Sequence, residues 1–141
     1  MKKKILIGGI VLFGLMQLVP YGSEHENPAV KGMVKWDSPE TKALFQKACA
    51  DCHSHNTKWP AYSNIAPVSW LITHDVEEGR EKFNISMWGV QKRNKGEDAA
   101  EELEEEEMPP AIYTLMHPEA RLSDADKEKL IRGLKATFGE D

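Results

Sequence analysis

Cys49-Ala50-Asp51-Cys52-His53 sets two thiols three residues apart with a histidine directly behind them, the spacing that covalent attachment of a c-type haem requires. Each thiol can add to one porphyrin vinyl group when the segment turns helically, and His53 then lies beneath the iron as proximal ligand. A covalently held haem would supply much of a small domain's core, so these five residues govern the reading of everything around them.

Three other chemistries use the same residues less completely. The chain of 141 residues has no further cysteine. A tetrahedral zinc site would therefore need Cys49, Cys52 and two of His53, His55, His74 or His117, without the second Cys pair or H-x3-5-H spacing that marks such sites. A thioredoxin-like redox pair calls for a βαβ context, whereas here a helix precedes the motif and a Pro-punctuated loop follows. A plain disulfide leaves the histidine unexplained.

Lys2-Lys3-Lys4 precede an apolar run from Ile5 to Val19, broken only by Gln17. Fifteen residues rise about 22 Å, between the core of a signal peptide and a full bilayer span. Leu18-Val19-Pro20-Tyr21 lacks the small residues that signal peptidase needs, which favours an uncleaved anchor over residues 1–21, with a cleaved signal peptide as the alternative. The lysines then stay cytoplasmic and the remainder is exported. Export is also where c-type haem is attached, so the expected location is the periplasmic side of the bacterial inner membrane.

Past the apolar segment, 15 basic residues face 23 acidic ones, a net charge of −8. Nucleic acid is thereby disfavoured as a partner. Residues 22–36 are polar and turn-prone, with Asn27-Pro28 and Gly32, and read as a linker or extended arm with little core of its own. Residues 37–141 suffice for one small domain.

Within that domain Asp37 or Ser38 caps a helix that has Pro39 in its first turn and Ala43, Leu44 and Ala48 on its apolar side, and it runs into Cys49. Ser54 to Asn64 is loop. Pro67 then starts a helix through Val68, Leu71, Ile72 and Val76 to about Lys82. A third helix is expected from about Gly89 to Glu107 and must stop at Met108-Pro109-Pro110. Ser123 caps the last, where Leu130, Ile131, Leu134 and Phe138 recur at helical spacing. Period-two alternation is missing, so the expected class is all-α.

A helix into C-x-x-C-H, a Met-Pro some 55 residues later and an amphipathic closing helix resemble the plan of class I cytochromes c. The chain also resembles the bacterial haem-binding-domain family of periplasmic cytochromes. That likeness rests on Asn27-Pro28, the C-x-x-C-H-S stretch, Thr57-x-Trp59-Pro60-x-Tyr62-Ser63, Ala66-Pro67-Val68-Ser69-Trp70-Leu71, Gly79-Arg80, Asn84-x-Ser86-x-Trp88, Met108-Pro109-Pro110 and His117-Pro118-x-Ala120-x-Leu122-Ser123. It spans nearly everything after the apolar segment and implies haem binding in the cell envelope. Ala61, where relatives tend to carry a second tryptophan, and Ala29, where a Pro-Pro pair is usual, depart from the pattern without touching the proposed ligands.

The sixth iron position decides both potential and access for exogenous ligands. Met108 is the candidate, since its thioether suits haem iron and the following prolines hold an extended loop; His74, His117, His25 or an open site are the alternatives. Met33, Met87 and Met116 read as packing residues. Trp59, Tyr62 and Trp70, with Trp88, are core aromatics that would pack on the porphyrin, and their indole and phenol donors could reach a propionate. Arg80 is the candidate propionate counter-ion, or else an exposed helix arginine paired with Glu77.

Eight of the eleven residues Glu97–Glu107 are acidic, either a solvated face or a docking patch for a basic redox partner. The expected function is single-electron transfer through one covalent haem c held by Cys49 and Cys52, with iron ligands His53 and Met108 and no substrate chemistry. A haem sensor or small peroxidase-like enzyme with an open sixth site, and a zinc-stabilised interaction module, are the alternatives.

Overall fold

Ser38, extended at φ −148°, accepts a hydrogen bond from the Thr41 amide (3.1 Å) and so opens the helix that Pro39 begins. The computed structural model describes residues 1–139. Its α-helices are α1 (Lys2–Met16), α2 (Pro39–Ala48), α3 (Ala50–His53), α4 (Val68–Lys82), α5 (Ala99–Glu104), α6 (Ala111–Met116) and α7 (Asp124–Phe138). Short 3-10 turns lie at Ala61–Asn64, Ile85–Met87 and Pro118–Ala120. Among the described residues there is no strand, and the all-α expectation stands.

The core is the meeting of α2, α5 and α7 with the segment after α4. Leu44 and Phe45 of α2, Ala100 and Leu103 of α5, and Leu130, Leu134 and Phe138 of α7 are buried around Phe83. Phe45, Phe138 and Phe83 meet edge to face at centroid distances of 5.7 and 5.2 Å, an arrangement favoured by the ring quadrupoles. Gly133 lets α7 approach α2, because a Cβ there would collide with the Thr41 side chain.

Three expectations give way. Residues 89–98 are turns, and only Ala99–Glu104 of the anticipated long third helix forms. Gly89 takes φ +75°, and the Asn94 side chain bonds both the N–H and the C=O of Asn84 (2.8 Å each), stabilising a loop against helix. The arm is also less independent than its composition suggests, since Val34 and Trp36 pack against the core. Of the methionines taken as packing residues, Met33 and Met116 are exposed.

Past Lys2–Lys4, α1 is apolar on all sides, and it buries no residue. Among the described residues no helix is long and apolar enough to cross a membrane. Gln17, the one polar residue of the apolar run, fastens α1 to the domain: its side chain donates to Ala66 O and accepts from Ala66 N, both at 3.0 Å.

Candidate functional site

Cys49 closes α2 with a non-helical backbone (φ −124°, ψ −30°) and starts the single turn α3, so both thiols and His53 share one turn. The Cys52 and His53 amides donate to Cys49 O at 3.2 and 3.0 Å. Both thiols are free. Burial pushes each up to about 12, with the neighbouring Cys52 adding to the effect at Cys49, and Asp75 and Asp51 adding to it at Cys52. They are thus poor nucleophiles unaided, unlike a thioredoxin-type pair.

α4 supplies the other wall. Gly79 packs against the motif turn, where a Cβ would lie 2.8 Å from Cys52 O and 3.0 Å from its Cβ. His53 Nδ1–H donates to Phe83 O at 2.8 Å and to Gly79 O at 3.1 Å. Two carbonyl acceptors fix that nitrogen as the protonated one. No hydrogen bond among the described residues engages Nε2, which keeps its lone pair, and burial holds the ring below the usual histidine range, hence neutral. An aimed, neutral imidazole with its second nitrogen held by backbone is the form that ligates metal.

Arg80, one residue beyond Gly79, ties this turn to the arm. Nε donates to Ser54 O (2.9 Å), Nη1 to Glu26 O (3.1 Å), and Nη2 to Asn27 Oδ1 (3.0 Å) and Thr57 Oγ1 (2.9 Å). Thr57 in turn donates to Asp51 O at 2.6 Å. Four of the five guanidinium N–H groups are therefore committed to protein oxygens, and Glu77 accepts from Tyr21 rather than from Arg80. Sequence order hid this cluster, although Asn27, Thr57 and Gly79-Arg80 all belong to the blocks that carry the family resemblance.

The remaining aromatics occupy distinct places. Trp59 stacks on His25 at 4.6 Å. The indole N–H groups of Trp59 and Trp70 and the Thr73 hydroxyl are buried without a protein partner. Leaving a polar group so costs about 1–3 kcal/mol, and donors in this state suit a cofactor that brings carboxylate acceptors. Tyr62 Oη lies 2.6 Å from His117 Nε2, and His117 Nδ1 lies 3.0 Å from Glu119 Oε1.

Met108 is half-buried on the loop leaving α5. Its amide and that of Glu107 both donate to Glu102 O at 3.1 Å, with Glu106 left-handed at φ 63° between helix and loop. Five residues on, Tyr113 of α6 donates to Asp51 Oδ2 at 2.8 Å and lashes this segment to the motif turn. Burial, reinforced by Asp51, raises the Tyr113 phenol well above its ordinary value. Neither Tyr113 nor Phe83 stands out in the sequence; an aromatic after Met-Pro-Pro and one at the end of α4 were the available signals.

The zinc reading finds no support in this arrangement. Among the described residues no group of three or more His, Cys, Asp or Glu side chains is placed to hold a metal ion. His55 is buried between Ala29 O and Asn84 (3.0 and 2.9 Å), and His74 is exposed beside Asp75.

Two unpaired thiols and an aimed imidazole on one turn, walled by a glycine, in a domain that also holds orphaned buried donors, define a small helical haem-binding domain. The chain belongs to the haem-binding domain family, which it matches over residues 11–136. It is also similar to the cytochrome c peroxidase Ccp of Escherichia coli K12, at 25% identity over 95 residues that cover 62% of this chain and 20% of that protein. The chain thus spans about a fifth of that relative's length. No solved structure matches.

Proposed function

We propose that this protein is a monohaem c-type cytochrome, anchored at the periplasmic face of the inner membrane, that carries single electrons. The observation that carries the reading is His53 held through Nδ1 by Phe83 and Gly79, with Nε2 left for iron beside two free thiols. A haem in this site supplies a one-electron couple. Cys49 and Cys52 would hold it as thioethers, and His53 and Met108 would ligate its iron. The unpartnered Trp59 and Trp70 indole N–H groups and the last free N–H of Arg80 would serve as donors to its propionates. Glu104–Glu107, all exposed, offer a basic redox protein a docking face, and electrostatic complementarity there would act on association rate.

Haem that stays with the chain through acid–acetone extraction supports covalent attachment, and haem that extracts freely refutes it. A colourless product from a host with haem-maturation machinery would favour an interaction module.

The peroxidase relative favours a second reading, in which the sixth site opens to small ligands and the protein acts as a sensor or enzyme. Carbon monoxide separates the two. A carrier with Met108 bound reacts little, whereas rapid stoichiometric binding supports the alternative.

A further inference from the structure

We infer that the globular domain rests directly on the bilayer, with Ile65, Val68 and Leu71 dipping into the headgroup region beside the base of α1. The inference rests on the reading of α1 as a membrane anchor and adds an orientation to it. Two independent observations support it, one of length and one of surface.

The apolar run that follows the three lysines is helical from Ile5 to Met16 and rises about 18 Å there, short of the roughly 30 Å hydrocarbon core. A short span is accommodated by thinning the bilayer and drawing its flanks inward. Here one flank is the domain itself. Both hydrogen-bonding atoms of the Gln17 amide are taken by the Ala66 backbone, leaving no slack between helix and domain. Val19 lines a small crevice with Asn64, Ala66 and Ser69, so the chain leaves α1 pressed against the start of α4.

The surface at that joint has the matching character. Ile65, Val68 and Leu71 are 48%, 43% and 48% exposed, the first adjoining in sequence the Ala66 that Gln17 grips and the other two in the first turns of α4. Leu18 and Val19, at the foot of α1, are exposed apolar residues as well. An apolar face that water would disfavour lies where the short anchor brings lipid. Val90, also exposed and apolar, sits beyond the opposite end of α4, where Gln91 bonds the Arg80 and Glu81 carbonyls.

The test uses the full haem-loaded chain in phosphatidylethanolamine–phosphatidylglycerol nanodiscs, with the photocrosslinker p-benzoylphenylalanine placed singly at positions 12, 68, 71 and 90. Retained haem absorbance checks folding of each variant. After illumination, intact mass spectrometry should show phospholipid adducts at 12, 68 and 71, several-fold above those at 90. Adducts at 12 alone overturn the seating while leaving the anchor in place. Absence of adducts at 12 removes the anchor and the seating with it. Crosslinks at 68 and 71 to a second copy of the chain, or equal lipid labelling at 90, also overturn the proposal.

Discussion

His53 Nδ1 lies 2.8 Å from the carbonyl oxygen of Phe83, so an imidazole on one helical turn is aimed by the backbone just past the end of another. The arrangement needs the turn and α4 at backbone contact, and Gly79 is what permits it. Gly79→Ala puts a Cβ 2.8 Å from Cys52 O and must push the two apart. The expected outcome is a loss of about 1–3 kcal/mol, the usual range for overpacking. Denaturant unfolding measures that loss. Haem content per chain should fall as well, because His53 loses its acceptors.

Arg80 joins the arm, the motif turn and the loop carrying Thr57 through four hydrogen bonds. Arg80→Met keeps much of the stem and removes every donor. Hydrogen bonds to charged groups contribute about 1.5–3 kcal/mol each, and their losses are not additive within one network. A destabilisation of about 3 kcal/mol is expected, with the arm becoming sensitive to proteolysis near Glu26-Asn27. An unchanged unfolding midpoint and an uncut arm would show the cluster to be incidental.

How far these features were legible follows from how local they are. Ser38, Pro39, Pro67 and Ser123 act within one turn of themselves, and the helices they begin fall where the sequence places them. The Cys49–His53 turn is equally local. The stretch before α5 has helix-like charge spacing that masks the turn chemistry of Gly89 and Asn94. α6 escaped notice because Ile112, Leu115 and Met116 are exposed, which leaves no apolar face turned to the core. Arg80 meets partners 23 to 54 residues away, contacts that only the folded backbone creates.

Glu106 gives a prediction of opposite sign. It adopts φ 63° where helices usually place glycine, and its carboxylate meets Lys127 only at the exposed surface. The left-handed conformation costs a residue with a Cβ about 1 kcal/mol or more. Glu106→Gly should therefore stabilise the protein by about 1 kcal/mol, seen as a higher urea midpoint at constant slope. The same variant should leave the visible spectrum unaltered, because the Glu102 carbonyl still receives the Glu107 and Met108 amides.

Met108 is set by that turn on one side and by Tyr113 on the other, whose phenol grips Asp51 between the two cysteines. Met108→Ala removes the thioether while Cys49, Cys52 and His53 still hold the haem. The oxidised protein should lose the weak red-end absorption that methionine ligation produces, and its reduction potential should fall, because a thioether favours ferrous iron. Carbon monoxide should then bind readily to the reduced variant. Met116→Ala is the control: that side chain is 51% exposed, so its removal should change neither spectrum nor potential. If Met108→Ala leaves the band and potential intact while His117→Ala abolishes them, the sixth ligand belongs to the Tyr62–His117 pair instead.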